Sequence, residues 1–476
     1  MAVTHSVPSA LLVPGVYVEF NIAAASRGLT PISRRVALVG TKTAAGEQDE
    51  LVPVQAFSDA DADRLFGVGS PLALMCKFGF RGARDYGGGA ELHAVAIDDP
   101  GDTAAEHTLT ITGDADEGGE IVVEIAGREV RTTVEPGDDP TAQATKLDAA
   151  IDALKAELPV TSASALGVVT TTATVTGVNG SDLVITVVET PAGVSIAVAE
   201  SVPGVGVTDI TAALDALATD DYDWIAIENH QAADVADLAA HLAETWASGV
   251  KRWRFTRMAE TGDLSTFTAL CEAADDFKQC FTWSEDNPLM PGEIAAYRAM
   301  IDAAREPTLT TTLNGLALPS IPLPPKASWP QPGLAGEQQA AMSSGGEVLA
   351  PDERGVMRLV RAVTSKTTHD GVAYKAMVDT LIGEGMVYTA RQCEIAWAAF
   401  SDAKKSARVR RQIRSVTYGV LKRLEGLEVL QNVDEHKGQL TVEPDGVDVN
   451  AAVAAIPTSV IPGLAKLIGV FNLLVE

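Results

Sequence analysis

Strand-like and helix-like segments alternate from residue 222 to residue 305, and no other feature of the sequence restricts the fold as much. YDWIAIE (222–228) reads as a strand and AADVADLAAHLAETWA (232–247) as an amphipathic helix. KRWRFTR (251–257) is the next strand and DLSTFTALCEAADDF (263–277) the next helix. KQCFTWS (278–284) and PGEIAAYRAMIDAAR (291–305) repeat the pair, with proline just inside the helix, where its missing N–H costs nothing. This order predicts a parallel or mixed sheet covered by helices. The same pattern occurs earlier. SRRVALVGT (33–41) predicts a buried strand and LHAVAI (92–97) another. Between them, residues 59–80 predict two helices around a glycine-rich turn, the second started by Ser70 and Pro71.

Between residues 98 and 206 the composition shifts to Thr, Val, Gly and Asp. Period-two segments recur at 107–112, 120–127, 128–134 and 182–189, separated by turn signals such as DEGG and VNGSD, with one helix expected over 141–158. The stretch holds 19 acidic and 4 basic residues, over half the chain's acidic excess. It predicts a separate, well-solvated β-rich domain inserted into the main one. Calcium binding would call for an EF-hand loop or a Gly-Asp nonapeptide repeat, and neither occurs.

The fold class expected is α+β: a mixed α/β core with strand–helix alternation, an inserted acidic β-rich domain, and extended N- and C-terminal strands. The divisions expected are an extended arm over 1–30, the core over 31–97 plus 207–333, the insertion over 98–206, and a C-terminal α+β domain over 334–476. Six prolines in 315–333 predict an extended surface crossing. Residues 355–365 predict a strand, 439–450 a strand and turn, and about 373–424 a long helix broken near Gly383 and Gly385. Both ends are apolar. In VPGVYVEF (13–20), Val16, Val18 and Phe20 share one strand face, and LIGVFNLLVE (467–476) carries Val470, Phe471, Leu473 and Leu474.

Net charge is −28, which disfavours nucleic acid and anionic membranes as partners. No stretch is long and apolar enough to span a bilayer, and residues 1–12 lack the basic start and apolar core of a secretory signal. The four cysteines form no Cys-x-x-Cys pair and predict buried free thiols. No phosphate-binding Gly-Lys-Ser/Thr loop, His-Glu-x-x-His or Gly-x-Ser-x-Gly occurs, so no catalytic, cofactor or metal residue is assigned.

One basic stripe stands out against this acidic background. KKSARVRRQIR (404–414) holds six basic residues and no acid. At helical spacing Lys404, Arg408 and Arg411 share a face, with Lys405, Arg410 and Arg414 beside it, and Val409, Ile413, Val416, Val420 and Leu424 roughly opposite. A ridge of this kind is either a solvated helix face or a surface for an acidic protein.

Several segments, in order along most of the chain, resemble the tail sheath proteins of contractile phage tails, the Mu-like type above all. They are VPGVYVEFN (13–21), RRVALVGT (34–41), LFGVGSPLALM (65–75), YDWIAI (222–227), GLALPSIPLPP (315–325), GVMRLVRAVTSKTTHDGVAY (355–374) and the closing part from Thr389; the acidic region 98–206 is not matched. The resemblance implies a structural virion protein, not an enzyme, with no cofactor. Its subunits would form a helical stack of six-fold rings around an inner tail tube, contacting baseplate and tail terminator. They would be assembled in the host cytoplasm and contract to drive the tube through the host envelope. It implies that Val16, Val18, Phe20, Val470, Phe471, Leu473 and Leu474 lie in strands exchanged between subunits, and that the C-terminal domain faces the tube. Lys404, Lys405, Arg408, Arg410, Arg411 and Arg414 are the candidates for that contact on charge and helical phase. The alternatives are the sheath of a capsid-less bacteriocin or injection device, another tail component such as a baseplate protein, and, from a different class, an α/β enzyme with an appended β-domain.

Overall fold

The computed structural model describes residues 34–305, 312–448 and 450–465. Its centre is an eight-stranded sheet in the order Met357–Leu359, Glu347–Pro351, Gln279–Trp283, Phe255–Glu260, Trp224–Ile227, Arg35–Thr41, Glu91–Ile97, Val54–Gln55. The six inner strands run parallel, and the short strand at each edge is antiparallel to its neighbour. Parallel strands need covered faces, hence the continuous apolar run of Val36, Ala37, Leu38 and Val39, all fully buried. Helices Pro71–Tyr86 and Pro291–Ala304 cover one face. Thr211–Leu217, Ala232–Thr245 and Leu264–Ala274 cover the other. Ser70 caps its helix as expected, accepting from Ala73 N at 3.2 Å.

Residues 106–202 leave this sheet and build two small ones. Ser195–Val202, Glu106–Thr112, Val168–Ala173 and Val160–Ala165 form a four-stranded sheet, and Arg128–Val134, Gly119–Ile125 and Ile185–Glu189 a three-stranded one. With the helix Pro140–Ala153 they enclose their own apolar cluster around Leu109, Ile121, Val123, Leu147 and Val169. We call this part the lobe. A bridge between Thr103 and Val205 ties its two ends together.

Several elements depart from the sequence expectation. The strand expected over 251–257 starts at Phe255, because Lys251 takes a positive φ of 58° and turns the chain. The lobe helix ends at Ala153. The proline-rich crossing is extended but not wholly superficial. Leu318 and Ile321 are buried, and Leu318 N donates to Met357 O at 2.8 Å, so the segment covers the sheet edge. Strands Glu347–Pro351 and Met357–Leu359 lie beyond residue 334 yet continue the main sheet. The last helical stretch forms Thr380–Trp397 and Ala407–Gly426, broken at 398–406 and not at the glycines. A Cβ on Gly383 would lie 3.1 Å from the Phe255 ring, and one on Gly385 would lie 2.8 Å from Val460 Cγ1. Those glycines allow close packing inside an unbroken helix, against which their poor intrinsic propensity counts for less.

Candidate assembly surface

The C-terminal helices are seated on the sheet by charge as well as by apolar contact. Buried Glu384 accepts from Arg305, from Arg34 Nη2 at 3.3 Å and from Trp224 Nε1 at 3.2 Å. Two turns further on, the Arg391 guanidinium lies 2.6 Å from Asp223 Oδ1. Beneath them Arg257 reaches Asp302 and Glu347, each at 2.5 Å, and Arg298 reaches the same two acids at 3.3 and 3.2 Å. All four side chains are fully buried. Burial alone would push the Asp302 carboxyl up, but Arg257, Arg298 and Arg305 together hold it below the usual carboxylate range. Burial likewise lowers the Arg305 guanidinium, against the pull of Asp302. The sequence reading missed this network. Its one signal was charge placed inside otherwise apolar strands and helices, as at Arg257 and Asp302.

The basic ridge is partly as expected. Ser406 caps the Ala407–Gly426 helix, accepting from Val409 N at 3.2 Å, so Lys404 and Lys405 precede the helix instead of lying on its face. Arg408 and Arg411 are exposed on its first turns, with Arg410 half-buried beside them. Among the described residues these three arginines pair with no acid. Arg414 does structural work instead: Nε donates to Leu440 O at 2.6 Å and Nη2 to Lys437 O at 3.0 Å, pinning the following turn. The apolar face is seated only in its second half, through Val420, Leu421 and Leu424, while Val409 and Ile413 are half-buried and Val416 is exposed. Cations at a helix N-terminus oppose the helix dipole, so the fold itself gains nothing from Arg408 and Arg410 there.

Beside the ridge lies a groove between Arg410, Arg411 and Arg414 on the helix and the strand Thr441–Pro444. That strand pairs antiparallel with Ala452–Ala455, Thr441 opposite Ala455 and Pro444 opposite Ala452. Among the described residues the ladder has only these two strands, and both outer edges are unpaired. An isolated two-stranded ladder is marginal in water and offers its edges to a further strand. Val16, Val18, Phe20, Val470, Phe471, Leu473 and Leu474 lie outside the described residues. Among the described residues no cluster of acids, histidines or cysteines is arranged to hold a metal, no helix is long and apolar enough to cross a membrane, and all four cysteines are buried and unbridged.

The architecture is that of the sheath subunits of contractile tails. The solved sheath tail protein of Listeria innocua superposes with a TM-score of 0.52 at 14% identity, over 92% of this chain and 94% of that one. The sheath tail protein of Desulfitobacterium hafniense superposes with a TM-score of 0.50 at 13% identity, over 93% and 99%. A chain of the six-fold symmetrised baseplate of the anti-feeding prophage gives 0.50 at 12% identity, over 97% and 98%. In sequence, the chain is 26% identical over 279 residues to the Mu-like prophage FluMu tail sheath protein of Haemophilus influenzae. That match spans 57% of this chain and 56% of the relative, little more than half of each. No family model matches. The resemblance read from the sequence, and its α+β fold class, are thus borne out.

Proposed function

We propose that this chain is a tail sheath subunit, which polymerises around an inner tube and contracts to drive that tube through a cell envelope. The observation that carries the reading is the likeness to two sheath tail proteins over more than nine-tenths of both chains. The two-stranded ladder at 441–455 supports it, because a subunit linked to its neighbours by exchanged strands needs an acceptor edge of this kind. In this reading residues 1–30 and the tail strand near Val470 are the donors, and the neighbour's ladder is the acceptor. The lobe, which is inserted into the core, is the outward part in this reading. Arg408, Arg410 and Arg411 face the tube, with Lys404 and Lys405 flanking them. Ridge contacts of this kind are weakened by salt and weak enough singly to release on contraction. The baseplate, tail terminator and tube are partners in this reading, and assembly takes place in the host cytoplasm.

Negative-stain electron microscopy of the purified chain, alone and with purified tube protein, tests the proposal. Stacked rings or long hollow tubes are the expected result. Discrete particles under both conditions would overturn it.

A further inference from the structure

The lobe meets the core at an unusual place. Its Val178–Asp182 turn enters the crevice at the C-terminal ends of Arg35–Thr41 and Trp224–Ile227, the point where strand order reverses in the sheet. In open α/β sheets that crevice is where ligands sit. Here it is filled by side chains from the lobe. Buried Glu228 accepts from Thr41 N at 2.6 Å, from Thr41 Oγ1 at 2.7 Å and from Asn179 Nδ2 at 3.3 Å. Asn179 also donates to Asn229 Oδ1 at 3.0 Å, and Asn229 donates in turn to Asp234 Oδ1 at 3.1 Å. Next to them Asp182 Oδ2 lies 3.4 Å from His230 Nε2. Both Asp182 Oδ2 and His230 Nδ1 are buried without a hydrogen-bond partner among the described residues. The groups that act on Asp182 are His230, Glu260 and Glu228 from the core and Glu200 from the lobe.

We propose that this seam is a proton-responsive latch, in which uptake of one proton by Asp182, whose Oδ2 is buried in the crevice beside His230, tightens the lobe on the core. Asp182 is acted on by Glu260, Glu228 and Glu200, and a proton relieves both that repulsion and the burial of a carboxylate whose Oδ2 has no hydrogen-bond partner among the described residues. Burial is the main cause that pushes the Asp182 carboxyl up to about 6, with His230 opposing it and Glu260, Glu228 and Glu200 adding to it. With the lobe released, Asp182 returns to the ordinary range near 4. The seated state therefore binds the proton more readily, and seating strengthens as pH falls from above 6 towards 4. Over the step from pH 7 to pH 5 the gain is about tenfold. Elsewhere the seam is held by Arg128 on Glu293 at 2.5 and 3.0 Å and by Arg81 on Glu157 at 2.8 Å, so the latch adjusts an attachment that already exists.

The inference rests on the single chain and not on the sheath reading, so the free protein tests it. Amide hydrogen exchange of the full chain between pH 7 and pH 5, corrected for intrinsic exchange, reports opening of the seam at Thr41, whose N–H donates to Glu228 beneath the lobe's Asn179. The expected result is a rise in protection there that sets in as pH falls through about 6 and reaches about tenfold by pH 5, and no rise in the Phe255–Glu260 strand. Asp182→Asn is expected to be equally protected at both pH values. A wild-type profile with no step between pH 5 and pH 7 would overturn the proposal, and needs no variant. So would a step of the same size in Asp182→Asn.

Discussion

Glu384 is a single carboxylate that holds a helix to a sheet by accepting from Arg305, Arg34 and Trp224. Removing one member of a buried charged set leaves the others uncompensated, which costs about 3–5 kcal/mol. Glu384→Ala is therefore expected to lower Tm by several degrees in calorimetry, with the C-terminal helices losing protection first. Gly385 makes a complementary case. Gly385→Val would drive its side chain into Val460, at a cost of about 1–3 kcal/mol. Gly419→Ala, whose Cβ would meet open space on the next helix, is expected to stabilise by about 1 kcal/mol. Equal Tm changes in those two variants would refute this account of the glycines. Propensity alone treats Gly383, Gly385 and Gly419 alike. What separates them is Phe255 and Val460, which come close only when the chain has folded, and so a sequence reading placed the helix break wrongly.

At the scale of elements, core strands such as Arg35–Thr41 and Trp224–Ile227 were legible because strands buried on both faces carry apolar runs. The lobe strand Val160–Ala165 was not legible. Its inward side chains include Ser162 and Ser164, which donate to the Asp148 carboxylate at 2.5 and 3.0 Å. A strand held by hydroxyls leaves no hydrophobic alternation to read. The basic ridge was legible as charge but not as geometry, since the Ser406 cap starts the helix at Ala407 and the use of Arg414 on Leu440 O depends on the turn after the helix. Arg408→Glu with Arg411→Glu is expected to leave Tm nearly unchanged, because neither side chain pairs within the described chain. The same variant is expected to lose salt-sensitive co-sedimentation with tube protein. Undiminished co-sedimentation would remove the ridge from the assembly surface.

For the whole molecule, folding and assembly are expected to separate cleanly. If residues 1–20 are donated to a neighbouring subunit, as the proposed function has it, deleting them is expected to leave circular dichroism and Tm unchanged while polymer disappears from electron micrographs. An unfolded product would instead mean that the arm belongs to its own subunit's core. The overall architecture was legible because ordered segments along most of the chain pointed to it. The way the lobe plugs the crevice was not, since Asn179 and Glu228 are brought together only by the path of the intervening chain.

That path also sets a schedule. Arg35–Thr41 pairs with Trp224–Ile227, so the middle of the sheet joins segments whose synthesis is widely separated. At roughly 5–20 residues per second, the second strand leaves the ribosome about 10–40 s after the first. During that interval a strand with the apolar run Val36 to Val39 waits without the neighbour it will later adjoin. The lobe is made in the same interval and has its own apolar cluster, and the bridge between Thr103 and Val205 draws its ends together. An insertion that folds early in this way delivers the late strand to the waiting one, and turns a long search into a short one.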